Sequence, residues 1–119
     1  MPYEAKGEVL VVDDDPDDML LLRLAIAEKI VEATDYTGGL GKIGSDRIKG
    51  LVTDGLEGWW ESLVKAAIGA KIPPQAIILC SASATTRQYE SMVKDLGIRS
   101  VSKQMPGFSR EVAKIVSGW

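Results

Sequence analysis

Three consecutive carboxylates, Asp13, Asp14 and Asp15, end the first apolar run of this 119-residue chain. The run, Val9 to Val12, is continuous rather than alternating, which is typical of a strand buried on both faces of a parallel sheet. Two carboxylates about 4 Å apart repel each other by roughly 4 kcal/mol at an effective dielectric constant near 20. Either one of them binds a proton or a cation lies between them. Ligands that are all oxygen favour Mg²⁺ or Ca²⁺ over zinc.

The start of a helix explains only part of this acidic run. Asp13 and Asp14 lie at the carboxyl end of a strand, where open α/β sheets bind ligands, although such acids also occur as solvated turn residues. Asp15 fits a helix N-cap and Pro16 the first helical residue. Asp17 and Asp18 fit first-turn acids that the helix dipole favours.

Composition indicates a globular domain and excludes several kinds of site. Apolar residues make up 45% of the chain, charged residues 26%, and the net charge is −3 without a basic block, so we expect no nucleic-acid partner. Histidine is absent, which excludes a histidine base, a histidine metal ligand and a phosphohistidine carrier. Cys80, the one cysteine, lies in an apolar run, so we expect it to be a core residue. A lone cysteine forms no disulfide framework, so a reducing cytoplasm is the expected compartment. No signal peptide or membrane-spanning run is expected.

Strand and helix patterns alternate along the whole chain. This alternation predicts a single domain over 1–119, an α/β fold with a doubly wound five-stranded parallel sheet and right-handed crossovers. The expected strands are Glu8–Asp13, Ile30–Tyr36, Ile48–Thr53, Ala76–Cys80 and Ile98–Ser102. The expected helices are Asp17–Ile30, Trp59–Gly69, Thr85–Leu96, with Gln88 completing a capping box, and Pro106–Ser117.

Two helical segments are harder to interpret. Gly41 and Gly44 weaken any helix between the second and third strands, so the second helix is expected to be reduced to a turn or two or to a loop. The first helix is apolar nearly all round. Either it is deeply buried against the sheet, or its outer side, consisting of Met19, Leu22 and Ile26, contacts a partner.

Polar residues with complementary chemistry follow successive predicted strands. Parallel strands place their carboxyl ends at one edge, which would gather Asp13, Asp14, Asp54, Ser81 and Lys103. Taken singly, an Asp-Gly turn and a lysine are ordinary surface features. Together, acids for a metal ion, a carboxylate nucleophile, a hydroxyl and a lysine are the components of a phosphoryl-transfer site.

These residues carry a family resemblance that covers nearly the full length of the chain. The sequence resembles a response-regulator receiver domain (CheY-like) in Val-Val-Asp-Asp-Asp-Pro at the first strand and in Asp54 after the third. It resembles the family again in Ile-Ile-Leu-Cys before Ser81 and Ala82, and in the separation of Lys103 from Ser81. The resemblance implies a flavodoxin-like fold with strand order 2-1-3-4-5.

The resemblance also implies a role for each site residue. Asp54 would be the phosphoacceptor, and Ser81 and Lys103 the switch hydroxyl and the phosphoryl-binding lysine. The implied ligands of Mg²⁺ are Asp13, Asp14, Asp54 and the main-chain carbonyl of Leu56. A histidine kinase or phosphotransfer protein would supply the phosphoryl group. The domain would signal through protein contacts, with a homodimer as an option, rather than act as an enzyme.

Three departures from the family pattern favour a second hypothesis. The loop Gly55–Gly58 is shortened and lacks a proline, Gln104 and Met105 separate Lys103 from Pro106, and Ser100 replaces the usual aromatic residue. They are typical of a pseudo-receiver, a protein-interaction module that is no longer phosphorylated.

A third hypothesis is a phosphatase of the haloacid-dehalogenase type. Asp13 and Asp15 form its Asp-x-Asp pair, but such enzymes need a further acidic motif after the lysine. Only Glu111 follows Lys103 here, and it lies within a predicted helix.

The three tryptophans give two smaller predictions. Trp59 and Trp60 are neighbours on a helix and point about 100° apart, so either one is buried and the other partly exposed, or both are packed. Trp119 is expected to pack against the domain or against a neighbouring molecule.

Overall fold

A computed structural model describes residues 7–45, 47–81 and 87–119. Its five strands form one parallel sheet in the order β2-β1-β3-β4-β5, which confirms the predicted fold class and strand order. The strands are Glu8–Val12 (β1), Ile30–Ala33 (β2), Ile48–Asp54 (β3), Ile77–Ser81 (β4) and Arg99–Ser102 (β5). The helices are Pro16–Ala25 (α1), Tyr36–Ser45 (α2), Trp60–Gly69 (α3), Arg87–Leu96 (α4) and Phe108–Val116 (α5). Single 3₁₀ turns lie at Leu56–Gly58 and Pro74–Ala76.

The apolar strands are covered on both faces, as their continuous patterns predict. Val9 and Val11 of β1 face the cluster that α1 and α5 cover. Leu10 and Val12 of the same strand face the cluster formed mainly with α3. Because side chains alternate along a strand, an unbroken apolar run has to be buried on both sides. This packing fixes the sheet edge at which the acids after β1 emerge.

The first helix is shorter than predicted, and of the two alternatives for its apolar surface the structure supports burial against the sheet for the side chains named there. α1 ends at Ala25, because Ile26 adopts an extended backbone and the chain turns to pair Ile30 with Val9. Sheet pairing therefore outweighs the helical propensity of the residues that follow. The side chains proposed to contact a partner, those of Met19, Leu22 and Ile26, are buried. The apolar side chains that α1 exposes are those of Leu20, Leu21 and Leu24.

The expectation of a reduced second helix is also wrong. α2 has 10 residues despite its glycines. Asp35, which the sequence suggested as part of β2, caps the helix, and its carboxylate accepts a 2.7 Å hydrogen bond from the amide of Gly38. Gly39 is buried, and a Cβ at this position would lie 3.1 Å from Leu63 and 3.2 Å from Val12. Glycine therefore lets α2 approach the sheet and α3 closely.

β2 ends at Ala33, three residues before the predicted end at Tyr36, and the remaining boundaries differ from the predictions by one or two residues. β3 includes Asp54, and α5 begins at Phe108 rather than Pro106. The predicted helix start at Thr85, the capping-box side chain of Gln88 and the matching residue Ala82 lie outside the part that the structure describes. Among the described helices, none has the length and apolar character needed to cross a bilayer.

The C-terminal tryptophan packs on the domain, as expected. Trp119 is partly buried and contacts both apolar clusters, one on each side of the sheet. A Cβ on Gly50 would collide with the Trp119 ring, so only glycine at this point of β3 leaves room for the indole. The tryptophan thus closes the edge of the domain opposite the acidic residues.

Cys80 gives a prediction about thiol chemistry. Its side chain is fully buried in β4, and burial raises the pKa of the thiol to about 12. The folded state therefore favours the protonated thiol. Stability falls as the pH rises from the ordinary thiol pKa, about 8.5, towards the folded value. Near neutral pH, we expect a disulfide reagent to leave the native protein unlabelled and to label it fully in urea. Cys80→Ser is the blank, and rapid labelling of the native protein would contradict the prediction.

Candidate metal centre

The sheet register brings the predicted site residues to one edge. Val12, the last residue of β1, pairs with Thr53, so Asp13 follows beside Asp54. Asp54 ends β3, and Ser81 ends the neighbouring β4 opposite Ser102, one residue before Lys103. The main chain also links the ends of β4 and β5, because the Lys103 amide donates a 2.9 Å hydrogen bond to the Ser81 carbonyl. The structure therefore brings Asp13, Asp14, Asp54, Ser81 and Lys103 to the same end of the sheet.

Three of these residues form an acidic cluster. Asp13, Asp14 and Asp54 each offer a carboxylate oxygen, and the three oxygens lie within 4.8 Å of one another. Asp13 is 1% exposed, whereas Asp14 is open to solvent. The donor set consists of oxygen alone and has one open side, which suits a magnesium ion that keeps several of its waters. The residues present therefore fit the metal ion that the resemblance implies.

Lys103 crosses this cluster and has little contact with solvent. Its ammonium lies 2.8 Å from Asp13 Oδ2, 2.8 Å from Asp54 Oδ1 and 2.9 Å from Asp18 Oδ2. The lysine side chain is 8% exposed, so the ion pairs are shielded from screening by salt. Sequence reasoning missed Asp18. It assigned Asp17 and Asp18 the same role as first-turn acids, and nothing in their spacing shows which of the two reaches Lys103.

The charges shift the ionisation of each group. Burial raises the pKa of Asp13 despite the opposing effect of Lys103. Slight desolvation and the charge of Asp54 raise the pKa of the exposed Asp14. Burial would also raise the pKa of Asp54, but the hydrogen bond and charge of Lys103 outweigh it and lower that pKa. Burial opposes the charged form of Lys103, yet the bound carboxylates raise its pKa above the ordinary value. Of the three clustered carboxylates, Asp54 is thus the one whose pKa is lowered, so its ionised form is favoured.

Comparison with solved structures gives a consistent result. The receiver domain of the Francisella response regulator 1452 superposes with a TM-score of 0.74 at 22% identity, covering 94% of each chain. A CheY-like receiver domain protein from Methanospirillum hungatei superposes with a TM-score of 0.74 at 18% sequence identity, covering 94% of this chain and 91% of that one. The chain has the receiver-domain fold. Chemotaxis response regulator CheY4 of Vibrio cholerae superposes with a TM-score of 0.73 at 19% sequence identity, covering 92% of this chain and 98% of that one. No protein-family model and no curated protein matches the sequence.

In this receiver-fold chain the loop after Asp54 is short and conformationally unusual. Leu56 and Glu57 have φ values of 50° and 54°, and Gly58 has φ of 98°. A non-glycine residue in this left-handed region costs about 1–2 kcal/mol. The turn directs the Leu56 amide toward Asp54 Oδ2 at 3.3 Å, while the Leu56 carbonyl accepts a 3.1 Å hydrogen bond from the Trp59 amide. The Leu56 carbonyl as a metal ligand stays a prediction.

An aromatic pair forms one wall beside the acidic cluster. Trp59 is 56% exposed and stacks on Tyr36 with ring centroids 4.9 Å apart, whereas Trp60 is buried. This confirms the alternative in which one of the two neighbouring tryptophans is buried and the other is partly exposed. The pair lines a groove of about 570 Å³ together with Asp14 and Leu56. The open side of the cluster therefore faces a groove with an aromatic wall.

Proposed function

We propose that this chain is the phospho-accepting receiver of a two-component phosphorelay, with Asp54 as the phosphoacceptor. One observation supports the proposal above all others: Asp54 ends β3 beside Asp13 and Asp14 and lies 2.8 Å from the Lys103 ammonium. A lone carboxylate at a turn would need neither a buried lysine nor two further acids within reach. The donor would be a histidine kinase or a phosphotransfer protein that offers phosphohistidine.

The transfer follows from the ionisation of Asp54. Its carboxylate oxygen attacks phosphorus while the P–N bond to the donor imidazole breaks, and the electron pair of that bond stays on nitrogen. The product is a mixed anhydride on Asp54. Lys103 supports the attack twice, because it keeps Asp54 ionised and lies where it can pair with a phosphoryl oxygen.

Magnesium completes this chemistry in the proposal. Asp13, Asp14, Asp54 and the Leu56 carbonyl would hold the ion, which when bound neutralises charge on the transferring phosphoryl group. Ser81, 8% exposed at the end of β4, is the hydroxyl proposed to turn toward the phosphoryl group. Movement of Ser81 and Lys103 would reshape the neighbouring surface and signal through protein contacts. The buried free thiol of Cys80 fits a reducing cytoplasm.

Mass spectrometry with a small phosphodonor tests this proposal. Incubation with acetyl phosphate or phosphoramidate and Mg²⁺ is expected to add one phosphoryl group, and chelation of the metal is expected to prevent it. Asp54→Asn should abolish the adduct. Asp17→Asn, which changes the charge of an exposed first-turn acid, should retain it. Absence of an adduct on the unaltered protein, or an adduct that persists in Asp54→Asn, would overturn the proposal.

The loop after Asp54 favours one alternative, the pseudo-receiver. Its consecutive left-handed residues, Leu56 and Glu57, form one wall of the site and differ from the longer proline-containing loop of the resembled family. Ser100, exposed on β5, also stands where an aromatic residue is usual. This alternative expects partner binding that is indifferent to Mg²⁺ and to Asp54→Asn.

A further inference from the structure

Lys103 and a divalent ion would share two of the same carboxylates. The ammonium lies 2.8 Å from Asp13 and 2.8 Å from Asp54, two of the three carboxylates that could bind the metal. Both carboxylates still have free lone pairs, but the positive charges of the lysine and the ion repel each other. Binding of the metal would therefore weaken the contacts of the ammonium with Asp13 and Asp54.

Asp18 is the third carboxylate on the ammonium, and it stands apart from the other two. Its Oδ2 lies 2.9 Å from Lys103 Nζ. It is absent from the set of acids whose oxygens lie close enough to share an ion, which contains Asp13, Asp14 and Asp54. Asp18 can therefore hold the lysine without competing for the metal.

Helix capping does not account for the direction of the Asp18 side chain. The Asp18 amide donates to the Asp15 carboxylate at 3.3 Å, which satisfies the helix start through the backbone alone. Asp17 makes the equivalent 2.9 Å backbone contact, and its side chain is exposed. Both acids interact favourably with the helix dipole. Only Asp18 is directed across the site to a lysine 85 residues away.

We propose that Asp18 is a positioning residue for Lys103, which holds the ammonium when Asp13 and Asp54 turn to a divalent ion. The inference rests on the proposed function, since it concerns the same metal-dependent site. Without the Asp18 carboxylate, Asp13 and Asp54 are the remaining carboxylates that pair with the lysine in the described part of the chain, so the lysine competes more strongly with the ion for them. Loss of Asp18 therefore weakens binding of Mg²⁺, although Asp18 does not contact the ion.

Titration of Mg²⁺ alone into matched variants tests this inference. Calorimetry, with tryptophan fluorescence as a second readout, would compare Asp18→Asn with Asp17→Asn, which changes the net charge equally one residue away. Asp18→Asn is expected to lower the Mg²⁺ affinity about five- to tenfold, the lower end of the range for coupling between two sites, and Asp17→Asn much less. Asp18→Glu keeps the carboxylate and is expected to restore most of the affinity.

A double-mutant cycle shows whether Asp18 acts through the lysine. In a Lys103→Ala background, Asp18→Asn is expected to have no greater effect than Asp17→Asn. If that background does not fold, the comparison in the unaltered lysine background still decides. If the unaltered protein does not bind Mg²⁺, the inference falls together with the proposed function. If the unaltered protein binds Mg²⁺ and the two variants Asp18→Asn and Asp17→Asn have equal Mg²⁺ affinities, only the inference about Asp18 is overturned.

Discussion

Lys103→Ala is expected to lower the free energy of unfolding of the metal-free protein by about 3–5 kcal/mol. The lysine is the cation that pairs with Asp13, Asp18 and Asp54 across the sheet edge. Asp13 is 1% exposed, so water cannot replace the ammonium at that carboxylate. Alanine would leave buried negative charges without a partner, and the folded state would have to bind protons or open the edge.

Urea unfolding in a chelator measures this loss. Lys94→Ala, which removes an exposed lysine from the last turn of α4, is the control and is expected to change the free energy of unfolding by less than about 0.5 kcal/mol. Added Mg²⁺ should raise the midpoint of Lys103→Ala more than that of the unaltered protein, because the ion replaces the missing positive charge. A Lys103→Ala midpoint equal to that of Lys94→Ala would show that the three ion pairs contribute nothing.

Trp60→Ala is the second large effect, with an expected loss of about 3–5 kcal/mol in the free energy of unfolding. Trp60 opens α3 at 2% exposure and is the largest of the fully buried side chains that the structure describes. Alanine would leave a cavity between α3 and the sheet, directly behind the loop that carries Leu56. The indole therefore supports one wall of the acidic site as well as the core.

Its neighbour in the chain is the natural control. Trp59→Ala removes an exposed ring whose described ring contact is the stack on Tyr36, so a loss of about 1 kcal/mol is expected. Urea denaturation followed by far-ultraviolet circular dichroism compares the two variants without depending on tryptophan emission. Equal losses for the two variants would contradict the burial assigned to them.

The parts of the fold that the sequence predicts well are those in which a single physical cause dominates. The apolar runs of β1 and β4 have no polar side to expose, so they require cover on both faces. Once those strands are parallel, their carboxyl ends have to share an edge. Asp13, Asp54, Ser81 and Lys103 follow from that geometry, without any knowledge of side-chain contacts.

The wrong predictions arise where two causes compete. In α2 the intrinsic cost of glycine indicates a loop, but close packing of Gly39 on Val12 and Leu63 and the cap by Asp35 outweigh it. In α1 every side looks apolar, and only the angle at which the helix packs shows that Leu22 is buried and Leu24 exposed. Such choices depend on distances between elements, which local sequence patterns do not contain.

The glycines of α2 have a consequence for the movements of this fold. Four glycines together weaken the helix by about 3–4 kcal/mol relative to alanine, namely Gly38, Gly39, Gly41 and Gly44. The helix is therefore stabilised mainly by its packing against α3 and the sheet. Local opening should begin here, and the backbone amide protons of α2 should exchange with solvent before those of β1 or β3. Each such fluctuation would draw Tyr36 away from Trp59 and briefly widen the groove beside Asp14. Local opening of α2 would therefore change the shape of the aromatic wall beside the acidic cluster.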